Sequence, residues 1–414
     1  LQRNTRLFIY EGISVSIILG LVNPLFAMYA QRLGAGAYEI GLINSLPSLV
    51  SITALIPGTF ILSKYKDKKH VTAMLILMFG IFYPIAALTP FMGRIGLYIF
   101  IASISLMNWP FSLYNISWQS FFSDVICPSD RASVYAKRSR ASSLFTIITV
   151  IFSGLFLTYV PQSNAQRIIL YQVLFIISFI ISLIQRSLLL QVSNYCIEDC
   201  ETGIGSTITL KGYVLSLGNG FKTYLTHKDF GFYSILMFIY NISWQMGWPL
   251  FFIFQTKYLH ANESQLSYVS AAVSLTGVMT YGLWAKVIQK YSVNLVLIIG
   301  MIGLSINPFI LSRLPSMNYV IFFNAILGLT FSAFMLASFE QLMETVPPEL
   351  KTVCIAIHTT LIGIAGFVSP IIGVALYKAT SITIALDISG LFRTILFIIF
   401  IAKYLQWRKR KVYI

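Results

Sequence analysis

Apolar runs long enough to cross a bilayer recur through the whole chain, separated by short charged segments. About 20 mostly apolar residues in a helix span a hydrocarbon core of roughly 30 Å. Twelve runs meet that length: 7–30, 40–62, 71–92, 95–126, 140–160, 167–190, 230–256, 264–289, 293–314, 318–345, 352–378 and 383–406. Barrel strands need only about ten alternating residues, so the run lengths predict an all-α membrane protein. Composition agrees, because only 10% of residues are charged, against roughly 25% in soluble domains. There is too little charge to cover a soluble surface of this size.

The net charge of +15 does not mark a nucleic-acid face. Its lysines and arginines fall in short runs between spans, such as Lys64, Lys66, Lys68 and Lys69, and Arg408 to Lys411. Nucleic-acid binding needs a clustered basic surface, so no such partner is expected. Most of the 29 basic residues sit on one set of alternate span ends, while the other set holds Arg32, Arg94, Arg167, Lys257, Arg313 and Lys378. By the positive-inside rule, both termini are predicted to be cytoplasmic, in a multi-pass cell-membrane protein. The run from Leu7 to Ala30 is too long for a signal-peptide core and reads as a retained first span. The terminal basic run can meet anionic membrane lipid, although a topology anchor accounts for it equally.

Between residues 191 and 229 the apolar pattern breaks, with Glu198, Asp199, Glu201 and several glycines. This segment is predicted to be a central cytoplasmic loop joining two six-helix bundles, residues 1–190 and 230–414. Its Cys196 and Cys200 read as a reduced pair rather than a metal site.

The two halves repeat each other. Asn23-Pro24-Leu25-Phe26 matches Trp248-Pro249-Leu250-Phe251, and Lys64-Tyr65 matches Lys290-Tyr291. Ser123-Asp124-Val125, with Pro128 and Arg131, matches Met343-Glu344-Thr345, with Pro348 and Lys351. These matches are collinear and nearly constant in spacing, which argues for a duplicated bundle. Within the repeats, Tyr114-Asn115-Ile116-Ser117-Trp118-Gln119 recurs letter for letter as Tyr240 to Gln245.

Taken together, the chain resembles the major facilitator superfamily over nearly its full length. Leu33-Gly34-Ala35 through Ile40-Gly41-Leu42 is similar to the family's link between helices 1 and 2. The signature loop between helices 2 and 3 is degenerate: Gly58 is followed by Ser63-Lys64 where an acid and a base belong, then Lys66, Asp67, Lys68 and Lys69. The glycine pattern of antiporter-type helix 5 is missing, with only Gly154 present. The eleventh span carries Gly363, Gly366, Pro370 and Gly373, spacing that permits close helix approach or a bend. The resemblance implies a secondary transporter of a small solute working by alternating access, with helices 1, 4, 7 and 10 lining the cavity and Asp67 as a partial substitute for the signature acid.

On those helices the polar residues share faces. Asn108, Ser112, Asn115 and Gln119 are spaced by 4, 3 and 4, and Asn241, Trp244, Gln245 and Trp248 by 3, 1 and 3. Asn23 and Asn324 add one amide each. A buried unpaired amide costs on the order of 2–7 kcal/mol. Either a water-filled, solute-binding cavity or hydrogen bonding between helices relieves that cost. Amides beside flat aromatics suit a neutral sugar-like solute, and the same surface also suits an amphipathic drug. Glu340 and Arg393 are the charges deepest within spans and, with Asp67, the candidates for coupling or gating; Glu340 serves either a proton or cation cycle or a structural gate. Glu11 and Asp124 lie near span ends, where ion pairs to loop bases are expected.

Two further classes compete. A membrane-embedded enzyme needs several His, Asp or Glu side chains at one depth, and His358 is the only histidine within a span, so no enzyme activity and no metal or cofactor is expected. A sensor built on the same fold, inactive in transport, stays open. No Gly-x-x-x-x-Gly-Lys loop is present for ATP.

Overall fold

The computed structural model describes residues 2–64, 67–193, 227–346 and 351–412, and every regular element among them is helical. The chain divides into two compact units, Leu1–Leu210 with Leu266–Tyr268, and Lys211–Gln265 with Val269–Ile414. Most of the expected central loop, with Cys196 and Cys200, lies outside the described residues.

In the first unit the helices are α1 (Gln2–Val22), α2 (Phe26–Arg32), α3 (Ala37–Lys64), α4 (Lys68–Leu88), α5 (Gly96–Leu106), α6 (Asn108–Val125), α7 (Pro128–Tyr159) and α8 (Asn164–Leu190). The second unit holds α9 (Lys228–Gln245), α10 (Gly247–Ile253), α11 (Glu263–Lys290), α12 (Val293–Leu311), α13 (Met317–Thr345), α14 (Lys351–Ala379) and α15 (Ile382–Val412). Ten helical stretches among the described residues are long and apolar enough to cross a membrane. The expected spans at 40–62 and 230–256 fall on α3 and on α9 with α10, which are not among those ten.

Three expected spans are broken helices, and proline explains each break. Pro24 sits in a 3₁₀ turn, Asn23–Leu25, between α1 and α2. It has no N–H for the carbonyl of Gly20, which instead accepts the Ser153 hydroxyl of α7 at 3.4 Å. Pro110 and Pro249 stand shortly after the breaks at Met107 and Met246 and deny a donor to the carbonyls of Leu106 and Gln245. The expected span 140–160 proves to be the second part of a 32-residue helix that begins at Pro128. Proline at a first helical position loses nothing, because that N–H has no intrahelical acceptor. The lysines and arginines that follow are good helix formers.

Packing repeats between the units. The first contains α1 against α7 and α8, and α4 against α6 and α8; the second contains α9 against α14 and α15, and α12 against α13 and α15. One pattern of neighbours therefore serves both halves of the duplicated sequence. Lipid tails are as apolar as Leu or Phe, so these contacts stabilise by close packing and hydrogen bonds rather than by removal from water. An aromatic cluster marks the first unit: Tyr29 lies 4.9 Å from Phe100, 5.0 Å from Tyr171 and 5.1 Å from Phe175, centroid to centroid.

Candidate solute site and buried charges

The amide row of α6 starts where the break at Met107 starts the helix. Asn108 and Ser112 are half-buried, whereas Asn115 and Gln119 are exposed. The Asn108 and Asn115 side-chain N–H groups donate to the carbonyls of Ile104 and Phe111, at 2.7 and 3.0 Å. Each amide thus spends one of its two N–H donors on the preceding turn and keeps the other, with its oxygen as an acceptor. Asn23, in the 3₁₀ turn, is also exposed.

The matching face of α9 is closed. Asn241 and Gln245 are buried; the Asn241 N–H donates to the Met237 carbonyl at 2.9 Å, and Gln245 donates to the Asn241 side-chain oxygen at 3.3 Å and to the Ile362 carbonyl of α14 at 3.4 Å. These two amides tie one helix turn to the next and α9 to α14. Trp244 is half-buried against Phe331 and Phe334, with Trp248 edge-on at 5.6 Å and itself exposed. Asn324 is buried and donates to the Val320 carbonyl at 2.8 Å.

The charged candidates part company. Glu340 is half-buried and, among the described residues, has no ion pair or side-chain hydrogen bond. Asp67 is the N-cap of α4, accepting the His70 backbone N–H at 3.1 Å. That hydrogen bond holds its carboxyl below the usual carboxylate range. Arg393 is fully buried on α15. Its guanidinium donates to the carbonyls of Ser243 (3.3 Å), Trp244 (3.1 Å) and Leu304 (2.8 Å) and to the Ser389 hydroxyl (2.9 Å). Two of those carbonyls belong to the last turn of α9, where an α-helix leaves its acceptors unmatched. Arg393 therefore holds the broken end of the span, with no carboxylate paired to it among the described residues. Gly247 makes room, since a Cβ there would come within 2.6 Å of the guanidinium.

The most heavily bonded charge among the described residues is Glu11, which the sequence singled out only as a partner for a loop base. One carboxylate oxygen accepts the Tyr114 hydroxyl and, at 2.8 Å, the Gln185 side chain; the other accepts Trp118 Nε1 at 3.1 Å and Arg138 at 3.0 and 3.1 Å. The Arg138 guanidinium also lies 4.0 Å from the Trp118 ring centroid, a cation–π contact. Gly12 leaves the space Arg138 occupies, as a Cβ there would meet it at 2.6 Å. The charge is buried but paired and fully hydrogen-bonded, the condition under which a buried ion is tolerated. This knot joins α1, α6, α7 and α8. A signal for it did exist: Tyr114 and Trp118 belong to the repeated hexapeptide. Asp124 meets its expected kind of partner in Lys68, at 2.7 Å.

Among the described residues no group of three or more His, Cys, Asp or Glu side chains is placed to hold a metal ion.

Comparison with known proteins fits this architecture. The chain is similar in structure to the nucleoside transporter NupG, with a TM-score of 0.71 at 13% identity over 97% of this chain and 98% of that one. It is also similar to PepTSo, a POT family transporter (0.69, 12%, 99% and 99%), and to a bacterial homolog of the human lysosomal transporter Spinster (0.64, 10%, 96% and 95%). At such identities the likeness establishes a shared fold. No curated protein matches the sequence. The family profile of the Major Facilitator Superfamily matches residues 12–190 and 233–412, nearly the whole of both units. With that match over both halves and ten apolar, membrane-length helices among the described residues, the chain is a multi-pass membrane transporter belonging to the major facilitator superfamily.

Proposed function

We propose that this chain moves a small, neutral, hydroxylated solute of sugar or nucleoside size by alternating access, through twelve spans in a cell membrane with both termini cytoplasmic. The observation that supports the reading most is the exposed pair Asn115 and Gln119 on α6. Two exposed amides within an apolar span are costly against lipid. Facing water or a polar solute, both supply carbonyl acceptors and N–H donors, the groups that hydroxyls recognise. Asn108 and Ser112 extend that row, and Asn23 adds an amide at the break in the first span. In the second unit, exposed Trp248 and half-buried Trp244 offer flat surfaces against which a sugar or base ring stacks, while Asn241 and Gln245 position the helix that carries Trp244 and Asn324 is bonded within its own helix. The likeness to a nucleoside transporter agrees with a solute that combines a sugar with a ring. Glu340, half-buried and without an ion pair among the described residues, is the candidate for a coupling proton, and Asp67 for a gate at the loop it opens.

Uptake of labelled hexoses and uridine into liposomes containing the purified protein tests the proposal. Wild-type uptake is expected to saturate, and Asn115→Ala with Gln119→Ala is expected to lower it about tenfold, the loss of one or two hydrogen bonds. Wild-type liposomes that move neither solute, or a double variant that transports unimpaired, would overturn it.

A further inference from the structure

The two units differ at one end of the bundle. In the first, the corner between α1, α4, α6 and α8 is filled: Phe8 meets Phe122, Phe121 and Trp118 at 5.1, 5.8 and 6.1 Å, and Leu189 and Val192 belong to the same buried cluster. In the second, the corresponding corner between α9, α12, α13 and α15 holds a cavity of about 760 Å³. The repeat accounts for part of the change. Aligning Ser123-Asp124 with Met343-Glu344 puts Gln341 where Phe121 stands, so a packed ring becomes an amide on the cavity wall.

The walls carry charge of both signs. Lys228 and Asp229 come from the start of α9, Glu344 from the end of α13 and Lys403 from α15, with Asn294 and Gln341 between them. None of these four charges forms an ion pair among the described residues, whereas Asp124, the counterpart of Glu344, is bonded to Lys68. The first unit neutralises this acid within the protein. The second leaves acids and bases open to a shared space many times the roughly 30 Å³ that a water molecule occupies.

We propose that this cavity binds a small zwitterion, its ammonium directed to the Glu344 and Asp229 carboxylates and its carboxylate or phosphate to Lys403 and Lys228. A lone anion or cation entering the cavity meets like charge as well as opposite charge; a molecule bearing both signs pairs with both. The site is separate from the amide row of α6 and does not depend on the solute carried there. Its occupant is either a free zwitterion or the headgroup of an aminophospholipid.

Thermal unfolding of the full-length protein in detergent, titrated with phosphoethanolamine, tests the proposal through stabilisation of the state that binds. A saturable rise in Tm is expected, larger than that from inorganic phosphate or ethanolamine alone. Glu344→Gln and Lys403→Gln are each expected to weaken the apparent Kd about tenfold, the loss of a charge-assisted hydrogen bond. Absence of a saturable rise, a full response to phosphate alone, or unchanged affinity in both variants overturns it. Nanodiscs distinguish the two sources: if phosphatidylethanolamine bilayers abolish the response that persists in phosphatidylcholine, the lipid headgroup is the occupant; a response persisting in both assigns a free zwitterion.

Discussion

The hexapeptide Tyr-Asn-Ile-Ser-Trp-Gln occurs once in each unit, and its two copies do different work. In α6 the tyrosine and tryptophan side chains bind Glu11, the tryptophan ring carries Arg138, and the asparagine and glutamine are exposed. In α9 the asparagine and glutamine are buried and bonded to each other, the tyrosine hydroxyl donates to the Met301 carbonyl, and the backbone of the serine and tryptophan receives Arg393. Both copies touch an arginine set into their unit, largely buried Arg138 through side chains in one and fully buried Arg393 through carbonyls in the other. Identical residues reach opposite burial because the neighbours differ: an acid on α1 recruits the rings of α6, whereas a guanidinium on α15 recruits the frayed end of α9. A local sequence sets helix and face. Its partners set function.

The largest effect is expected where that difference is one of charge. Glu11→Gln leaves Arg138 nearly buried beside a neutral amide, and breaking a buried ion pair costs about 3–5 kcal/mol. Arg393→Met removes its charge altogether and leaves carbonyls short of a donor, a cost of about 2 kcal/mol. Thermal unfolding of the two variants should therefore rank Glu11→Gln as the more damaging, and Glu11→Gln with Arg138→Met should recover much of the loss. Equal losses would mean that the first unit's knot is held by packing and not by its ion pair.

An intermediate effect tests the corner that is filled in one unit and hollow in the other. Phe121→Gln puts an amide among Phe8, Trp118 and Phe122 and is expected to cost about 3 kcal/mol, as large aromatic deletions from packed sites do. Gln341→Phe borders a ready-made space and removes a buried side-chain oxygen that has no hydrogen-bond partner. It is expected to be neutral or to stabilise by about 1 kcal/mol. Stability measured on each variant in detergent decides it; a Gln341→Phe variant as damaged as Phe121→Gln would show that the second corner is packed as tightly as the first.

Much of the architecture was legible because it rests on periodic or repeated features. Run length marked the helices and collinear matches marked the duplication, whereas the breaks at Asn23–Leu25 and Met246 fell inside runs that read as continuous. Asp124 and Lys68 followed from the general need of a carboxylate near a span end. What stayed hidden depends on contacts between distant segments. Glu11 lies 127 positions from Arg138, and Arg393 is 149 from Trp244. Nothing local in either arginine's neighbourhood distinguishes a guanidinium bound to a carboxylate from one bound to carbonyls. The burial of Asn241 but not Asn115 was hidden for the same reason, since both sit in the same six letters.

The smallest effect compares the caps of two helices in equivalent places of the repeat. Asp67 caps α4 through the His70 N–H, and Ser292 caps α12 through the Leu295 N–H at 3.2 Å. Replacing either with alanine is expected to cost about 1 kcal/mol at pH 7. Only the first cost should depend on pH. The carboxyl of Asp67 has its folded pKa depressed, chiefly by the His70 backbone hydrogen bond. The charged form is thus favoured by folding: its contribution is complete above the unfolded value, about 3.9, and is lost as pH falls through the lower folded value. Stability differences between wild type and Asp67→Ala should shrink on acidification below about pH 4, whereas those for Ser292→Ala should stay level. Asp67→Asn, which keeps the acceptor without the charge, should remove the pH dependence and retain most of the cap. A pH-independent Asp67→Ala difference would leave hydrogen bonding alone, the property the two caps share, as the source of the effect.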